Sequence, residues 1–422
     1  MQKDVYKRSR ILYIIEATLE YFISILVAGA YLAKVTTAIG LSDSVTGILS
    51  SFVSLGCGFQ MVAIFLANKR PVKRWVTVLH SINQLFFGLI YLVPFINITP
   101  PQKAVLFVAF LLLGHILNNI VNSPKINWYM SLVDDNKRGR FTANKEIVSL
   151  ITGMVFSFVM GSVMDYYDSI GNSDGAFIVC GLGVFGLTLL HTFTLIYSQE
   201  KPVETQEKTS TKKMLGELIK DKDLFKVILV SVLWNVAHYT TTPFYGTYQI
   251  KELGFSMTLV SLLSALYAVC RSLFSKPMGK FADKYSFKNM LNICFMIALV
   301  SFAINAFTTP GNGKVLFTVH YMLYAVSMAG INSATINLIY DYVDKEKRTS
   351  ALALSQTFSG LAGFFTTLII SPLVSYIQNN GNVFFGIDIF AQQVCSIITA
   401  IIMVVLLVYL NTVMKNLKKK NG

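Results

Sequence analysis

Four ionisable side chains, Glu16, Glu20, Lys125 and Arg271, lie inside long apolar runs of the sequence. Inserting such a group into a membrane costs at least ~2.5–3.5 kcal/mol, so residues of this kind usually serve a function. Glu16 and Glu20 are four residues apart, which places both carboxylates on one face of a helix. Two acids and a lysine in apolar surroundings can form ion pairs and can exchange protons. We therefore predict a proton-coupling site at Glu20, Glu16 and Lys125.

Other roles for these charged residues stay open on the sequence alone. A static pair between a glutamate and the lysine would only neutralise buried charge, and a carboxylate could contact a cationic substrate directly. The guanidinium of Arg271 can hold an anionic group or donate hydrogen bonds to carbonyls near a helix break. We include Arg271 among the candidate substrate-binding residues.

A second set of polar residues combines amides with aromatic rings. Asn235, His238 and Tyr239 fall on one side of a predicted helix, ahead of Pro243, which can kink the helix and free carbonyls toward a cavity. Amides beside flat rings suit a neutral hydroxylated solute, through paired hydrogen bonds and stacking. The predicted substrate-binding residues are Asn119, Asn122, Asn235, His238, Tyr239, Arg271 and Asn332. Hydrogen bonding between helices is the alternative for the asparagines of the other predicted helices.

The apolar runs themselves predict the fold. Hydrophobic residues make up 54% of the 422 residues and charged residues 14%, against about 25% charged in a typical soluble domain. Runs of roughly 20–28 residues can cross a hydrocarbon core of about 30 Å as helices, which pair every backbone group internally. The sequence thus predicts an all-α integral membrane protein with twelve transmembrane helices. Their predicted ranges are 11–33, 44–67, 75–97, 103–132, 141–166, 174–198, 224–249, 256–279, 287–308, 314–340, 350–377 and 383–413.

Lysine and arginine are distributed unevenly over the connecting loops. Of the 36 residues of these two types, four lie beside loops that follow odd-numbered spans and two lie deeper within spans. The remaining 30 lie at the termini or beside loops that follow even-numbered spans. The positive-inside rule then predicts a multi-pass protein of the plasma membrane with both termini in the cytoplasm. Because this topology accounts for the net charge of +14, we expect contact with the lipid bilayer and no nucleic-acid partner.

A polar stretch divides the chain near its midpoint. We predict an N-terminal six-helix bundle at 1–198, a cytoplasmic linker at 199–223 and a C-terminal six-helix bundle at 224–422. Residues 212–223 of the linker could form a short surface helix.

The two halves match in sequence at an offset of 210 residues. Residues 122–138 and 332–348 agree at eight of 17 positions, where about one match is expected by chance. The register continues to Gly171 and Gly381 without a gap. We therefore predict parallel repeats, related by an axis along the membrane normal.

Two loop motifs resemble those of the major facilitator superfamily. Residues 279–284, GKFADK, are similar to that family's loop GxxxD(R/K), and residues 134–140 are similar to its second recurring loop. The corresponding loop of the first half departs from the pattern at Ile64, where the family usually has glycine, and at Asn68, where it usually has aspartate. The resemblance covers essentially the whole chain.

This resemblance implies alternating access, with spans one, four, seven and ten around a central cavity. It also implies that Asp283 docks at the start of a neighbouring helix, beside a loop arginine, when the cytoplasmic side is closed. A carboxylate gains about 0.3–1 kcal/mol from the helix dipole at such a position. The predicted gate consists of Gly279, Asp283, Lys284, Arg138, Arg140 and Arg348.

The sequence as a whole predicts a secondary active transporter, a proton-coupled symporter for a small polar organic solute. We expect a monomer with no cofactor. No GxxxxGK(S/T) loop occurs, so ATP is not expected to drive transport. The five cysteines lie in apolar runs, so no metal site is expected from them. His115, His191 and His320 are expected to be packing residues. An enzyme is not expected, since no catalytic cluster lies at one membrane face. A lipid or drug exporter on the same scaffold, or a transport-dead receptor, remains an alternative.

Overall fold

The computed structural model describes residues 5–60, 62, 71–134, 137–202, 211–344, 347–415 and 417. These residues are helical apart from loops and one short β-hairpin. The helices before residue 200 are α1 (Lys7–Leu26), α2 (Gly29–Ala38), α3 (Asp43–Ser50), α4 (Phe52–Cys57), α5 (Lys73–Leu89), α6 (Pro100–Ser131), α7 (Arg138–Ser169) and α8 (Ser173–Tyr197). The later helices are α9 (Thr211–Lys220), α10 (Lys222–Thr241), α11 (Met257–Lys284), α12 (Phe287–Asn305), α13 (Gly313–Tyr342), α14 (Arg348–Asn379) and α15 (Ala391–Thr412).

The described residues contain nine helical segments that are long and apolar enough to cross a membrane, and α1 with α2 forms a tenth, bent by 46°. The predicted second span is described only in part, as α3 and α4, and α5 has 17 residues. Large apolar side chains also face outward, including Val105 at 70%, Leu189 at 69% and Ile369 at 74% exposure. Such side chains on long helices are suited to lipid rather than water. The protein is therefore a multi-pass helical membrane protein.

The sequence repeat extends to the backbone of the two halves. α7 and α14 each have 32 residues and begin 210 positions apart. Both are followed by a glycine in the left-handed region, Gly171 and Gly381, each with φ of 68°. Gly171 N donates to the Asp168 carbonyl and Gly381 N to the Gln378 carbonyl, both at 3.1 Å. Glycine adopts positive φ without steric cost, so both helices end in the same way.

The predicted start of the last span is wrong. Residues 383–388 form a hairpin of β1 (Val383–Phe384) and β2 (Ile387–Asp388), and α15 begins only at Ala391. Phe385 and Gly386 have φ of 52° and 77°, as a two-residue turn of type I′ requires. Hydropathy alone does not separate a short apolar strand from the first turns of an apolar helix.

Pro243 interrupts the seventh predicted span. α10 ends at Thr241, and a 3-10 turn follows. Pro243 has no N–H to donate to the Tyr239 carbonyl, and the hydroxyl of Thr367 on α14 donates to that carbonyl instead, at 3.0 Å. Gln392 Nε2 on α15 donates to the Thr241 carbonyl at 3.2 Å. These carbonyls therefore join helices to one another, whereas we expected the freed carbonyls to face a cavity.

The described residues form two compact units. Unit 1 lies within Met1–Ser42, Phe59–Glu207 and Phe255–Leu262, and unit 2 lies within Asp43–Gly58, Lys208–Gly254 and Leu263–Gly422. In unit 1, the Asp165 carboxylate accepts hydrogen bonds from the backbone N–H groups of Met257 and Thr258, each at 2.8 Å. In unit 2, Gln378 Nε2 donates to the Asp43 carboxylate at 2.9 Å. Each unit thus contains a short segment of the other sequence half. Asp165 of α7 binds the first N–H groups of α11, and Asp43, the first residue of α3, binds Gln378 of α14.

Candidate functional site

Five polar side chains of unit 1 converge from four helices in its interior. We call them the ionic cluster: Glu16 and Glu20 on α1, His80 on α5, Lys125 on α6 and His191 on α8. The side chains of Glu16, His80 and His191 are fully buried, and that of Lys125 is 3% exposed. Glu20, at 22% exposure, is the member that reaches the surface of the unit.

The ammonium group of Lys125 joins the other members. Lys125 Nζ lies 2.9 Å from Glu16 Oε1, 2.5 Å from Glu20 Oε2 and 2.8 Å from His80 Nε2. His191 Nε2 lies 3.0 Å from Glu16 Oε1. The structure therefore brings together the three residues that the sequence assigned to proton coupling and adds two histidines to them.

The formal charge of the ionic cluster is not balanced. Two carboxylates and one ammonium leave one negative charge when both imidazoles are neutral. An unbalanced buried charge is costly, whereas paired charges with hydrogen bonds are tolerated. The rings of Tyr13 and Tyr129 lie near the acids and stack at 4.2 Å between centroids, and both are buried. A site of this composition has the chemistry to bind one proton.

Three members of the ionic cluster also have the chemistry of a metal site. Ligand atoms of Glu16, His80 and His191 all lie within 4.8 Å of one another, and carboxylate with imidazole suits several divalent metals. The Lys125 ammonium is within hydrogen-bonding distance of the Glu16 and His80 ligand atoms. A cation already lies where a metal ion would bind, so we assign no metal to this site.

The two histidines show the limit of the sequence reasoning. His80 is not among the predicted site residues, and His191 was expected to be a packing residue. Both lie inside predicted spans, so the rule that selects intramembrane ionisable residues applies to them as well. No spacing connects them to Glu16, because His80 is 64 residues away along the chain and His191 is 175 residues away.

Unit 2 contains a polar cavity of about 330 Å³ between α10, α13 and α14. Amides, hydroxyls and aromatic rings form much of its wall. They belong to Ser231, Trp234, Asn235, His238, Tyr239, Asn332, Thr335, Ser355, Gln356 and Ser359. Among the described residues that line this cavity there is no aspartate, glutamate, lysine or arginine. The cavity therefore offers hydrogen bonds and stacking without a fixed charge.

Several of these side chains are held in place by neighbours. Asn235 Nδ2 donates to the Ser231 carbonyl at 3.0 Å, and His238 Nδ1 is hydrogen-bonded to the Tyr324 hydroxyl at 2.5 Å. Ser359 Oγ is buried and has no hydrogen-bond partner within the part of the chain that the structure describes. A buried hydroxyl without a partner costs free energy, which a bound solute could recover by hydrogen bonding.

The structure separates the predicted substrate-binding residues. The cavity collects Asn235, His238, Tyr239 and Asn332. Asn119 lies in unit 1, where its Nδ2 donates to the His115 carbonyl at 3.0 Å and its Oδ1 accepts from Gln60 at 3.3 Å. Asn122 is half-buried on α6, and Arg271 is exposed on α11. The prediction did not include Ser355, Gln356 and Ser359, the polar residues that α14 contributes to the wall.

Within the part of the chain that the structure describes, the residues of the predicted gate make few contacts. Asp283 and Lys284 are exposed at the end of α11, and Arg140 is exposed near the start of α7. Arg348 Nη2 donates to the Tyr340 carbonyl at 3.1 Å. Gly279 is half-buried within α11. The side chain of Arg138 lies outside the described residues, as do Ile64 and Asn68, and the gate stays a prediction.

The chain resembles known transporters in sequence and in fold. The family model of the Major Facilitator Superfamily matches residues 13–367 and 240–420. A crystal structure of the nucleoside transporter NupG is similar with a TM-score of 0.72 and 17% identity, covering 97% of this chain and 100% of that chain. The xylose transporter XylE from E. coli is similar with a TM-score of 0.65 and 13% identity, covering 100% and 99%.

A peptide transporter of the POT family is similar with a TM-score of 0.72 and 10% identity, and the match covers 98% of each chain. No curated protein matches the sequence. At these identities the solved structures show a shared fold and no shared substrate. The family match extends over most of the chain. The chain therefore belongs to the Major Facilitator Superfamily, and it is a membrane transporter rather than an enzyme.

Proposed function

We propose that the protein is a twelve-span secondary transporter of the plasma membrane that carries a small neutral polar solute by alternating access, coupled to protons. In this proposal the bundles 1–198 and 224–422 are parallel repeats, the linker 199–223 and both termini are cytoplasmic, and the protein acts as a monomer. Unit 1 supplies proton coupling through the ionic cluster, and unit 2 supplies the solute site through the polar cavity.

The observation that carries the proposal is the composition of the buried ionic cluster, in which two carboxylates share one ammonium, so that one negative charge remains when both imidazoles are neutral. One bound proton would neutralise it, so proton binding and the buried environment are energetically linked. A structural ion pair has no need for a second acid or for two imidazoles. The proton-linked transport of the similar D-xylose–proton symporter supports the same function.

The lining of the polar cavity supports a neutral solute with a ring and several hydroxyl or amide groups. Trp234 and Tyr239 offer faces for stacking, and Asn235, Asn332 and Gln356 offer paired donors and acceptors. An anionic solute would leave its charge without a partner, which is costly in a dry site. Nucleosides and pentoses, carried by similar proteins, fit this description.

A thermal-shift screen of the purified protein tests the substrate class. Uridine and D-xylose are expected to raise the melting temperature, whereas phosphate and citrate should leave it unchanged. A ligand at 100 times its Kd stabilises the folded state by about 2.7 kcal/mol. A Gln356→Ala variant should lose the shift, and Gln378→Ala, outside the cavity, should keep it. Stabilisation by citrate alone would contradict a neutral solute.

A lipid substrate is the second candidate, because unit 2 also has an apolar groove of about 530 Å³ beside α10, α14 and α15. Phe225, Leu229 and Phe358 line it, together with Lys222 and Lys226. Adding lysophosphatidylcholine to the thermal-shift screen separates the two candidates. Stabilisation by that lipid, with none by uridine or D-xylose, would favour lipid transport.

The gate gives a separate prediction for the conformational equilibrium. If Asp283 docks at a helix start when the cytoplasmic side is closed, Asp283→Asn removes about 0.3–1 kcal/mol from that state. The population open to the cytoplasm should then rise by about two- to fivefold. Spin-label distances across the cytoplasmic side measure this change, and Asp388→Asn on the exposed hairpin is the control. Identical distance distributions for Asp283→Asn and the unmodified protein would refute the latch.

A further inference from the structure

We propose that the proton which drives transport binds to His80, at Nε2, and that this proton changes the hydrogen-bond partner of the imidazole from Lys125 to Glu16. The inference rests on the proposed function and names the group within it that receives the proton. Four observations carry it: the Asn83 oxygen beside His80 Nδ1, the three groups that meet at Nε2, two carboxylates against one ammonium, and the partial exposure of Glu20.

Asn83 fixes the tautomer of His80. His80 Nδ1 lies 2.7 Å from Asn83 Oδ1, and Asn83 Nδ2 donates to the Gly114 carbonyl at 3.5 Å. Because the amide oxygen is an acceptor, His80 Nδ1 must carry a hydrogen. In the neutral imidazole, Nε2 is then an unprotonated acceptor. His80 and Asn83 are both fully buried, so no solvent competes for this bond.

The neighbours of Nε2 define two states of the imidazole. Lys125 Nζ, at 2.8 Å, donates to Nε2 when His80 is neutral. Glu16 Oε1 lies 3.2 Å from the same atom, and in this state both atoms are acceptors, so they make no hydrogen bond. A proton on Nε2 reverses both relations. The imidazolium donates to Glu16, and it faces the Lys125 ammonium as a second positively charged donor.

The switch therefore weakens a link between helices. His80 is on α5 and Lys125 is on α6, so the bond that the proton removes is one between these two helices. Lys125 keeps Glu20 as a partner, at 2.5 Å, and His191 continues to donate to Glu16. With the proton bound, two carboxylates face two cations and the formal charge is zero. A movement of α6 relative to α5 is then possible without leaving a buried charge unpaired.

Glu20 provides the route for the proton. Its Oε1 lies 3.7 Å from His80 Nε2, and its side chain is 22% exposed while that of His80 is fully buried. A proton from water can reach the Glu20 carboxylate and pass to Nε2 through a small movement of either side chain. The other titratable groups that face His80 are Glu16, Lys125 and His191, whose ring meets that of His80 edge-on at 4.5 Å. Tyr13 and Tyr129 lie near the acids.

Nitrogen NMR of the full-length protein in nanodiscs, labelled with ¹⁵N-histidine, tests the proton site without any substrate. The chain has five histidines, so five single substitutions to glutamine assign every signal. In the neutral ring we expect the Nδ1–H tautomer of His80, and with the driving proton bound, at the acidic end of the titration, we expect the doubly protonated form. An Nε2–H tautomer, or a ring that stays neutral throughout, would overturn the proposal.

Transport in proteoliposomes tests the same site by a second readout. Uptake of uridine and of D-xylose is measured with a pH gradient, and exchange of the same solute is measured without one. In His80→Gln the ratio of gradient-driven uptake to exchange should fall about tenfold or more. His115→Gln, a buried histidine of the same unit outside the ionic cluster, is the control and should keep the ratio.

The outcomes separate this inference from the proposed function. If the unmodified protein moves solute but no protons, proton coupling itself is wrong. If the unmodified protein is coupled and His80→Gln keeps the full ratio, coupling stands and His80 is not its acceptor. If His80→Gln does not fold, the other four substitutions assign the His80 signal by elimination, and the NMR titration of the unmodified protein still decides the proposal.

Discussion

Replacing Lys125 by methionine is expected to destabilise the folded protein by about 3–5 kcal/mol, the range for removing one partner from a buried ion pair. The substitution leaves Glu16 and Glu20 next to each other without the ammonium that hydrogen-bonds to both. Glu16 is fully buried, so water cannot replace the lysine there. Urea unfolding in detergent measures the loss as a lower midpoint with an unchanged slope.

Matched variants identify the cause of this loss. Lys125→Met combined with Glu16→Gln removes one negative charge and should recover half or more of the lost stability. The exposed Lys276, on α11, provides the control, and its replacement by methionine should change stability by less than about 0.5 kcal/mol. If Lys125→Met costs no more than this control, the ion pairs of the cluster contribute no net stability.

The parts of the candidate site that the sequence predicts are those set by insertion cost and helix periodicity. A charged residue in an apolar run is expensive wherever the run packs, so Glu16, Glu20 and Lys125 were recognisable without a structure. Which residues meet Lys125 depends on how α1, α5, α6 and α8 pack, and a single sequence contains no direct measure of that packing. His80 and His191 were therefore not predicted as site residues, although both are ionisable residues within spans.

The same distinction applies to the fold. Long apolar runs predicted the membrane helices. The sequence match at an offset of 210 aligned Gly171 with Gly381, and in the structure both glycines follow a helix end with positive φ. The backbone geometry of the segment before α15 was not predicted from the sequence. Phe384 and Ile387 are apolar and were assigned to a helix, yet Phe385 and Gly386 adopt positive φ and turn the segment into a hairpin.

Replacing Glu20 by glutamine is expected to abolish pH-driven accumulation of the solute while exchange survives. Glu20 is the partly exposed acid of the ionic cluster, at 22%. Glutamine can still hydrogen-bond near Lys125, but it has no negative charge and cannot accept a proton from water. The ionic cluster of the variant is neutral without a bound proton, so proton binding no longer removes a buried charge. The pH gradient then drives no accumulation of the solute.

The size of the effect follows from the coupling. A gradient of one pH unit supplies about 1.4 kcal/mol per proton, which at one proton per solute supports an accumulation of about tenfold. Glu20→Gln should therefore bring the ratio of inside to outside solute to about one, with the tenfold ratio kept in Glu146→Gln, a change at an exposed acid of α7. Accumulation in Glu20→Gln equal to that in the control would show that Glu20 is no part of the proton route. The pair with Lys125 would then be structural, as a static neutraliser of buried charge.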